Sequence, residues 1–472
     1  MKKIIPVLFL GLMVVVIPLA IVVFPLIYTV AIIVGIALVG LISLRIIKPV
    51  WIIAVIFICA PFIDILRATY FKGVLFMGVY QELILLLMLI SKIIIARDGV
   101  KFRGFGLIDY LIILYVIWNL FQVIQSPSIL GGLYVWRWYS IGPLTYLVFR
   151  LFSFTKHECA VIILSICIGL VAASIYIFYQ YFVLGPESAA QISQSLGFTA
   201  FYRIGWRLPG PFGSPLVASA SYSILVLFGM ALLSINRFNW VGFCLIVIGV
   251  LAIFITLSRS GVAIGLVGLF AVLIMNFKKI KYKILPAFLG ILLILQFSYL
   301  IPETRQFLGY ITNTNLDSYD TDRINQFKHI LVDAITKYPF GIGFSGGGAV
   351  SLEAFKIFGG DSTYIPEYKY LGGDSVLLAT LQTSGFMGFF LLIGIFVVFI
   401  RSSILLLAYN LSTSQRIICL ASLGFFLGTF VMFGNLIDVW PLKLYLWFFG
   451  ATVINFQVGF SRFYVKPKNI KY

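Results

Sequence analysis

Residues 239–276 read NWVGFCLIVIGVLAIFITLSRSGVAIGLVGLFAVLIMN, and they set the pattern for the whole chain. Two apolar segments, near 239–257 and 261–276, flank the polar stretch Ser258-Arg259-Ser260. An α-helix rising 1.5 Å per residue needs about 20 residues to cross ~30 Å of hydrocarbon, and both segments approach that length. The stretch therefore predicts two membrane helices joined by a very short turn that holds an arginine at the edge of the hydrocarbon.

The composition extends this pattern to the full length of the chain. Of 472 residues, 61% are hydrophobic, 17% are aromatic and only 11% are charged. A soluble domain is about half apolar and about a quarter charged. The sequence lacks the alternation expected of barrel strands, and helices satisfy their own backbone hydrogen bonds in lipid. We therefore predict an all-α, polytopic transmembrane bundle.

Apolar blocks of membrane-crossing length predict about 12–14 spans. The candidate spans lie near 4–23, 26–45, 50–67, 74–95, 107–125, 139–154, 158–183, 217–235, 239–257, 261–276, 284–301, 375–400, 416–434 and 441–460. The first two follow Met1-Lys2-Lys3 without a small-residue cleavage site, which favours an uncleaved hairpin over a signal peptide. The sixth is the weakest, because Trp136-Arg137-Trp138-Tyr139 also suits a membrane interface.

The basic residues indicate how the chain is oriented. The formal net charge is +18, but Lys and Arg are scattered at the ends of spans, which argues against a nucleic-acid-binding surface. The basic connections include Lys92–Arg103, Arg150–Lys156, Lys278–Lys283 and the tail from Arg462. The positive-inside rule then predicts that both termini are cytoplasmic. It places the segments 126–138, 184–216 and 302–374 on the outer side.

The outer segment 302–374 is the longest polar part of the chain and holds nine of its sixteen acidic residues. Asp320-Thr321 predicts the start of a helix that reaches about Lys337 and ends before Pro339. The apolar face of this helix consists of Ile324, Phe327, Ile330, Leu331, Ala334 and Ile335. We expect it to lie on the membrane surface or on the bundle. The glycine-rich segment that follows, from Gly341 and Gly343 to Gly348, suits either close backbone approach to a ligand or a flexible turn.

Arginines are the first candidate site residues. The predicted outer side carries Arg203, Arg207, Arg259 and Arg323. A guanidinium group stays charged and binds phosphate oxygens in a bidentate fork, so a convergent set suits a lipid diphosphate. The alternative is that each arginine reaches the lipid headgroups independently. Arg259 is the strongest candidate, because its short turn holds an ionisable group beside the hydrocarbon.

A carboxylate is the second candidate. Asp374 precedes the span near 375–400, where it could act as a general base toward a sugar hydroxyl. The simpler interpretation is that Asp374 caps the following helix. The other charged groups near spans, Asp64, Arg67 and Glu82, are interpreted as structural.

The sequence predicts no metal ion and no nucleotide cofactor. Only two histidines occur, and no CxxC motif links the five cysteines. There is also no glycine-rich phosphate loop followed by Lys-Ser or Lys-Thr.

Taken in order, several short motifs resemble the O-antigen polymerase and O-antigen ligase superfamily of bacterial envelope glycosyltransferases. The motifs are Arg207-x-x-Gly210-x-Phe212 with Pro215, Ser258-Arg259-Ser260-Gly261, Arg323 before Tyr338-Pro339-Phe340-Gly341-Ile342-Gly343, and Leu377-Leu378 before Gly385-Phe-Met-Gly388. The resemblance covers about residues 200–390. It implies location in the bacterial inner membrane and a polyprenyl-diphosphate-linked oligosaccharide as donor, with outer-face arginines on the diphosphate. It also implies catalysis without metal or nucleotide.

The resemblance favours polymerisation of repeat units for O-antigen, capsule or exopolysaccharide, because the chain has Asp374-Ser375 where the ligases carry a His-Asn pair. The implied site has Asp374 and Arg259 as catalytic residues and Arg203, Arg207, Arg323, Gly341 and Gly343 as substrate-binding residues. A chain-length regulator and a flippase of the same pathway are the expected partners.

Two alternatives stay open at this point. One is a ligase that transfers finished glycan to an acceptor; the other is a flippase or permease with a similar number of spans. Transporters are commonly built from two similar halves, and the first half of this chain lacks a second copy of the loop region. The sequence is divided into N-terminal spans at 1–183, a polymerase- or ligase-like core at 184–401, and C-terminal spans with a basic tail at 402–472.

Overall fold

The computed structural model describes residues 49–70, 81, 85, 88–89, 106–126, 128–198, 200–202, 205–235, 239–280, 328–344, 375–432 and 441–463. The predicted spans near 4–23, 26–45 and 284–301 and most of the span near 74–95 lie outside these residues. The helices are α1 Pro49–Cys59, α2 Ile63–Tyr70, α3 Leu107–Phe121, α4 Ile129–Arg150, α5 Lys156–Phe178, α6 Pro186–Ser195, α7 Pro215–Leu233, α8 Asn239–Ile255, α9 Arg259–Ile280, α10 at 328–336, α11 Val376–Leu407, α12 Thr413–Val431 and α13 Leu442–Phe463.

The prediction of an all-α membrane bundle is confirmed. Within the described residues, five helical segments are long and apolar enough to cross a membrane: Val50–Thr69, Lys156–Val183, Pro215–Leu233, Val376–Leu407 and Thr413–Val431. Shorter apolar helices lie at Leu107–Phe121, Trp240–Ile255 and Arg259–Met275. Helices α7, α8 and α9 match the predicted spans to within four residues at each end.

Most of the predicted connection at 126–138 is helical, so the sixth span has a different start from the one predicted. Helix α4 begins at Ile129, ten residues before the predicted span, and includes Trp136 to Tyr139. Ser128 caps it by accepting a hydrogen bond from the Gly131 amide at 3.3 Å. Gly131, Gly132 and Arg137 lower the hydropathy of its first turns, so a criterion based on apolar runs misses them.

Two very short strands interrupt the helices. Phe201–Tyr202 (β1) and Trp206–Arg207 (β2) pair antiparallel, with Phe201 opposite Arg207. Helix α6 precedes this hairpin within the segment 184–216. The hairpin brings Arg207 to a buried position close to the start of α7.

Small residues allow the central helices to approach closely, as is common in membrane bundles. Near the end of α7, a Cβ atom added to Gly229 would lie 2.6 Å from the carbonyl oxygen of Gly242, near the start of α8. A Cβ atom added to Gly261 in α9 would lie 2.6 Å from the carbonyl oxygen of Ser219, in the second turn of α7. These contacts make α8 antiparallel to α7 and place the beginnings of α7 and α9 side by side.

The same end of the bundle also contains the beginning of α11. Helix α12 runs antiparallel to α9, since Gly424 packs on Gly268 and Gly428 packs on Ile264. Helix α11 is antiparallel to α12: the ring of Phe396 lies 6.0 Å from that of Phe430, and the ring of Phe399 lies 5.1 Å from that of Phe426. We call the end where α7, α9 and α11 begin the loop end.

A buried ion pair lies at the end of the bundle opposite the loop end. The Arg150 guanidinium donates to both Asp109 carboxylate oxygens at 2.9 Å, and the Tyr146 hydroxyl donates to one of them at 2.8 Å. Arg150 also donates to the Asn455 side chain, whose amide donates to the Phe152 carbonyl at 2.7 Å. This network ties α3, α4 and α13 together, and removing one partner of such a pair typically costs about 3–5 kcal/mol because a buried charge is left uncompensated.

Candidate substrate site at the loop end

The turn between α8 and α9 places Arg259 at the first position of α9. Leu257 reaches a φ of 48°, which is uncommon for a residue with a side chain, and this allows the chain to reverse within a few residues. The adjacent Ser258 and Ser260 are buried, and their hydroxyl oxygens are 2.9 Å apart. Arg259 itself is half-buried. The predicted short turn between two apolar helices is therefore present.

Arg207 lies on β2 and is 7% exposed. The segment after it is fixed at two points. The ring of Phe212 meets that of Tyr222 edge-on at 5.5 Å, and the Gly213 amide donates to the Asp64 carboxylate at 3.4 Å. Asp64 is buried and joins α2 to this segment, which fits the structural role expected for it.

Arg207 and Arg259 therefore occupy the same end of the bundle. Eight residues after Arg207, Pro215 begins α7, and Gly261 packs against Ser219 in the second turn of that helix. The N-termini of α7, α9 and α11 all face this end. A helix N-terminus carries partial positive charge, so three of them reinforce the attraction of the two guanidinium groups for an anion.

Arg203, Arg323 and Asp374 lie outside the described residues. Their proposed roles therefore stay predictions.

A backbone clasp holds the segment 338–344 against a kink in α11. Within α11, Gly385 has φ 63° and ψ −165°, which interrupts the helix. The freed amide of Phe386 donates to the Pro339 carbonyl at 3.0 Å, and the Gly343 amide donates to the Thr383 carbonyl at 3.1 Å. Gly341, at φ 91°, is so close that an added Cβ atom would lie 2.6 Å from the Gly385 nitrogen. We call residues 338–344 together with 382–386 the clasp.

Helix α3 supports the clasp from one side. The Trp118 indole N–H donates to the Ser384 carbonyl at 2.8 Å, and the Ser384 hydroxyl donates to the Asn119 side chain at 2.6 Å. The Gln122 side-chain amide donates to the Phe340 carbonyl at 3.2 Å. These bonds join parts of the chain that are more than 200 residues apart in sequence.

Gly341 and Gly343 thus have a defined structural position. The Gly341 amide donates to the Tyr338 carbonyl at 2.9 Å and the Gly343 amide to Thr383, so both donors are used within the protein. Their positive φ angles explain why glycine occupies both positions. A role of these two residues in substrate binding stays a prediction.

Helix α10 covers the described part of the predicted amphipathic helix and ends before Pro339, as expected. Ile330 and Ala334 are buried against Leu381 of α11. His329 and Ile335 are exposed. Of the two locations expected for this helix, the described residues pack on the bundle.

Ser375, and not Asp374, is the N-cap of α11: its hydroxyl accepts a hydrogen bond from the Leu378 amide at 3.3 Å. The capping interpretation of Asp374 is therefore wrong.

We predict that Asp374→Asn almost abolishes glycan transfer while the thermal unfolding temperature stays at the wild-type value. The reason is that the amide keeps the shape of the carboxylate but cannot accept a proton. In contrast, Ser375→Ala should lower stability by about 1 kcal/mol, as expected for loss of an N-cap, and retain transfer. Transfer by Asp374→Asn at the wild-type rate would contradict the general-base role.

Sequence reasoning missed two buried polar groups near the clasp. Lys443, at 2% exposure, donates to the Trp138 carbonyl at 2.8 Å, and its ammonium lies 4.2 Å from the centre of the Trp138 ring. Gln382, at 6% exposure, lies within α11 beside the kink. Neither belongs to a recognisable motif, although Lys443 is an isolated charge within an apolar run.

Comparison with known proteins supports the resemblance. Residues 244–393 match the family model described as O-antigen ligase. The matched region contains the Arg259 turn, α9, α10, the 338–344 segment and the kinked half of α11. No curated protein matches the chain. The family match supports the resemblance to the O-antigen ligase and polymerase superfamily and, in general terms, a function of that type in a multi-pass membrane protein.

Proposed function

We propose that this chain, in which residues 244–393 are an O-antigen ligase family region, polymerises oligosaccharide repeat units carried on polyprenyl diphosphate. The product would be an O-antigen, capsule or exopolysaccharide chain. The observation that carries the proposal is the common location of Arg207 and Arg259 at the loop end, where three helices begin. Such an arrangement suits a lipid-linked diphosphate, whose charge lies at the headgroup level and whose lipid stays in the bilayer.

In the proposed reaction, a hydroxyl oxygen of the incoming repeat attacks the anomeric carbon of the growing chain. Asp374 accepts the hydroxyl proton, a glycosidic C–O bond forms, and the C–O bond to the polyprenyl diphosphate breaks. The diphosphate leaves with the electron pair. A single displacement of this kind inverts the anomeric carbon.

Arg207, Arg259 and Arg323 are proposed to stabilise the leaving diphosphate, with Arg203 contributing to its binding. Preorganised positive charge is most effective where charge develops and water is scarce. Because the diphosphate is a good leaving group, neither a metal nor a strong acid is needed in this scheme. Gly341 and Gly343 are proposed to border the glycan side of the site.

The basic connections support a bacterial inner membrane orientation with both termini in the cytoplasm and the loop end outside. In that orientation Arg150 and Arg401 lie on the cytoplasmic side. The core at 184–401 would carry the chemistry, between the spans at 1–183 and 402–472. A flippase and a chain-length regulator of the same pathway would act with it.

A ligase is the second candidate, because the matched family carries that description. The two reactions share the donor and the diphosphate site and differ in the acceptor. A ligase transfers the finished glycan to a lipid core or protein, whereas a polymerase adds it to another repeat.

The glycans of a strain that lacks the gene separate these functions. A polymerase predicts surface glycan that stops at one repeat, and full-length ladders return when the wild-type gene is restored. Loss of all transferred glycan with polymer retained on the lipid carrier would indicate a ligase. Accumulation of lipid-linked repeats in the inner leaflet would indicate a flippase, and an unchanged ladder would refute all three.

A further inference from the structure

A short junction, residues 208–214, connects Arg207 on β2 to the start of α7. Its sequence is LPGPFGS, and Pro215 follows. A proline has no amide hydrogen, so the junction has few donors with which to fix its own backbone. The Phe212 amide donates to the Pro209 carbonyl at 3.2 Å and closes one turn. Contacts with other parts of the chain must therefore do much to place the junction and the arginine before it.

Apolar contacts hold one side of the junction. Leu208 and Phe212 are completely buried, and the ring of Phe212 meets that of Tyr222 edge-on at 5.5 Å. The Tyr222 hydroxyl donates to the Ala173 carbonyl of α5 at 3.0 Å. These contacts attach the junction to α5 and α7.

Asp64 provides a polar contact from a third helix. The Gly213 amide donates to its carboxylate at 3.4 Å, and Asp64 is only 7% exposed. Arg67 attracts this carboxylate from within α2, whereas Gly213 links it to a distant part of the sequence. Burying a carboxylate costs free energy, but a charged acceptor holds an amide more tightly than a neutral one. Asp64 thus attaches the junction firmly to α2.

The sign of this charge is unexpected at the loop end. Arg207 and the three helix N-termini at this end attract anions. A carboxylate at the same end repels an anion, so by itself it would weaken the binding of a diphosphate. Its presence is explained if it keeps a positively charged group in the position that binding requires.

We propose that Asp64 is a positioning residue, which holds the junction on α2 and thereby keeps Arg207 in place for the lipid-linked diphosphate. The inference rests on the proposed function, because it assigns to α2 a role in the arginine site. It makes a prediction of opposite sign to simple electrostatics. Removal of the negative charge should weaken anion binding, although repulsion alone predicts that binding becomes tighter.

The test measures binding of polyprenyl diphosphate that carries no sugar. Full-length protein in lipid nanodiscs is titrated with this probe, and native mass spectrometry gives the dissociation constant. Arg207→Ala should weaken binding roughly tenfold or more, as expected for loss of a charged contact. Asp64→Leu should weaken it about tenfold, a coupling within the range usual for residues that share a contact. Asp64→Asn keeps an acceptor for Gly213 and should weaken binding by only about threefold.

The double variant separates positioning from a general structural role. In the Arg207→Ala background, Asp64→Leu should not weaken binding further, because its effect passes through Arg207. The unfolding temperature of Asp64→Leu should stay near the wild-type value, since an apolar side chain of similar volume often replaces a buried charge without loss of stability. If Asp64→Leu does not fold, the same comparison with Asp64→Asn decides.

Glu158→Ala is the matched control. The Glu158 carboxylate also accepts from a backbone amide, that of Thr155 at 2.8 Å, but it lies at the start of α5, at the opposite end of the bundle. This variant should bind the probe like the wild type.

Two results would overturn the positioning role while the diphosphate site stands: binding by Asp64→Leu at wild-type strength or tighter, or equal weakening with and without Arg207. Absence of binding by the wild type, or binding that does not depend on Arg207, would reject the diphosphate site and the positioning role with it. The ladder of the gene-deletion strain tests the polymerase proposal separately.

Discussion

Replacing Arg259 with alanine should abolish long-chain polymer and leave single repeats at the cell surface, with the protein still present in the membrane at its normal level. Arg259 begins α9 at the loop end, and its side chain is half-buried. If it faces the leaving diphosphate, its removal should lower the transfer rate by about 10²–10³-fold, the loss typical of one preorganised electrostatic contact.

Two further variants test whether the loss of polymer is specific to the guanidinium group of Arg259. Arg259→Lys keeps the charge but loses the bidentate geometry, so it should retain an intermediate ladder. Arg401→Ala is the matched control: it removes an exposed arginine from the part of α11 farthest from the loop end. It should polymerise normally. The measurement is a glycan ladder on a gel, normalised to the membrane level of each variant.

Unchanged long-chain polymer in Arg259→Ala would eliminate the diphosphate role. Loss of the protein from the membrane would instead indicate that Arg259 is needed for the fold of the turn. In that event the Arg259→Lys variant, measured for transfer in purified form, decides whether the guanidinium group has a role beyond charge.

Replacing Gly385 with alanine should have the second large effect, a loss of both stability and polymer. The backbone of Gly385, at φ 63° and ψ −165°, is essentially restricted to glycine. An added Cβ atom would also overlap the Pro339 carbonyl and lie 2.5 Å from the Gly341 nitrogen. The backbone strain costs roughly 1–3 kcal/mol, and the overlap must in addition push the 338–344 segment away from α11.

Gly394→Ala provides a control in the same helix. A Cβ atom at that position would have only the Leu111 side chain nearby, at 3.9 Å, so the substitution should be tolerated. The thermal unfolding temperature in detergent and the glycan ladder are measured for both variants. Gly385→Ala with a wild-type unfolding temperature and a full ladder would show that the clasp is not needed.

The clasp links this expectation to function. It holds α10 on the bundle, so displacing it should disturb the loop side of the bundle without touching Arg259. Gly341→Ala is expected to act in the same way, because its Cβ atom would lie 2.6 Å from the Gly385 nitrogen.

Short-range features of the sequence determine much of the architecture, and this part was predictable. The lengths of the apolar runs predicted α7, α8 and α9 to within four residues. The same runs predicted the short turn at Arg259, and Pro339 marked the end of α10. The start of α4 was not predictable in this way, because Gly131, Gly132 and Arg137 make its first turns too polar for an apolar run, although Ser128 caps it.

The assignment of Asp374 shows where local reasoning was ambiguous. Both Asp374 and Ser375 are good N-cap residues, and the sequence offers no means of choosing between them. The hydrogen bond from Leu378 to Ser375 makes the choice.

The sequence by itself determined that the chain is a helical membrane protein, how its central spans are bounded, and which family residues 244–393 resemble. Tertiary structure alone decided that Asp109 pairs with Arg150, that Gly385 meets Pro339, and that the Gln382 side chain is buried without a hydrogen-bond partner among the described residues. The physical reason is the range of the interactions. Hydropathy and capping depend on neighbours within a few turns of the same helix. These contacts instead join residues tens of positions apart or more, so they stabilise the protein only after the helices have packed.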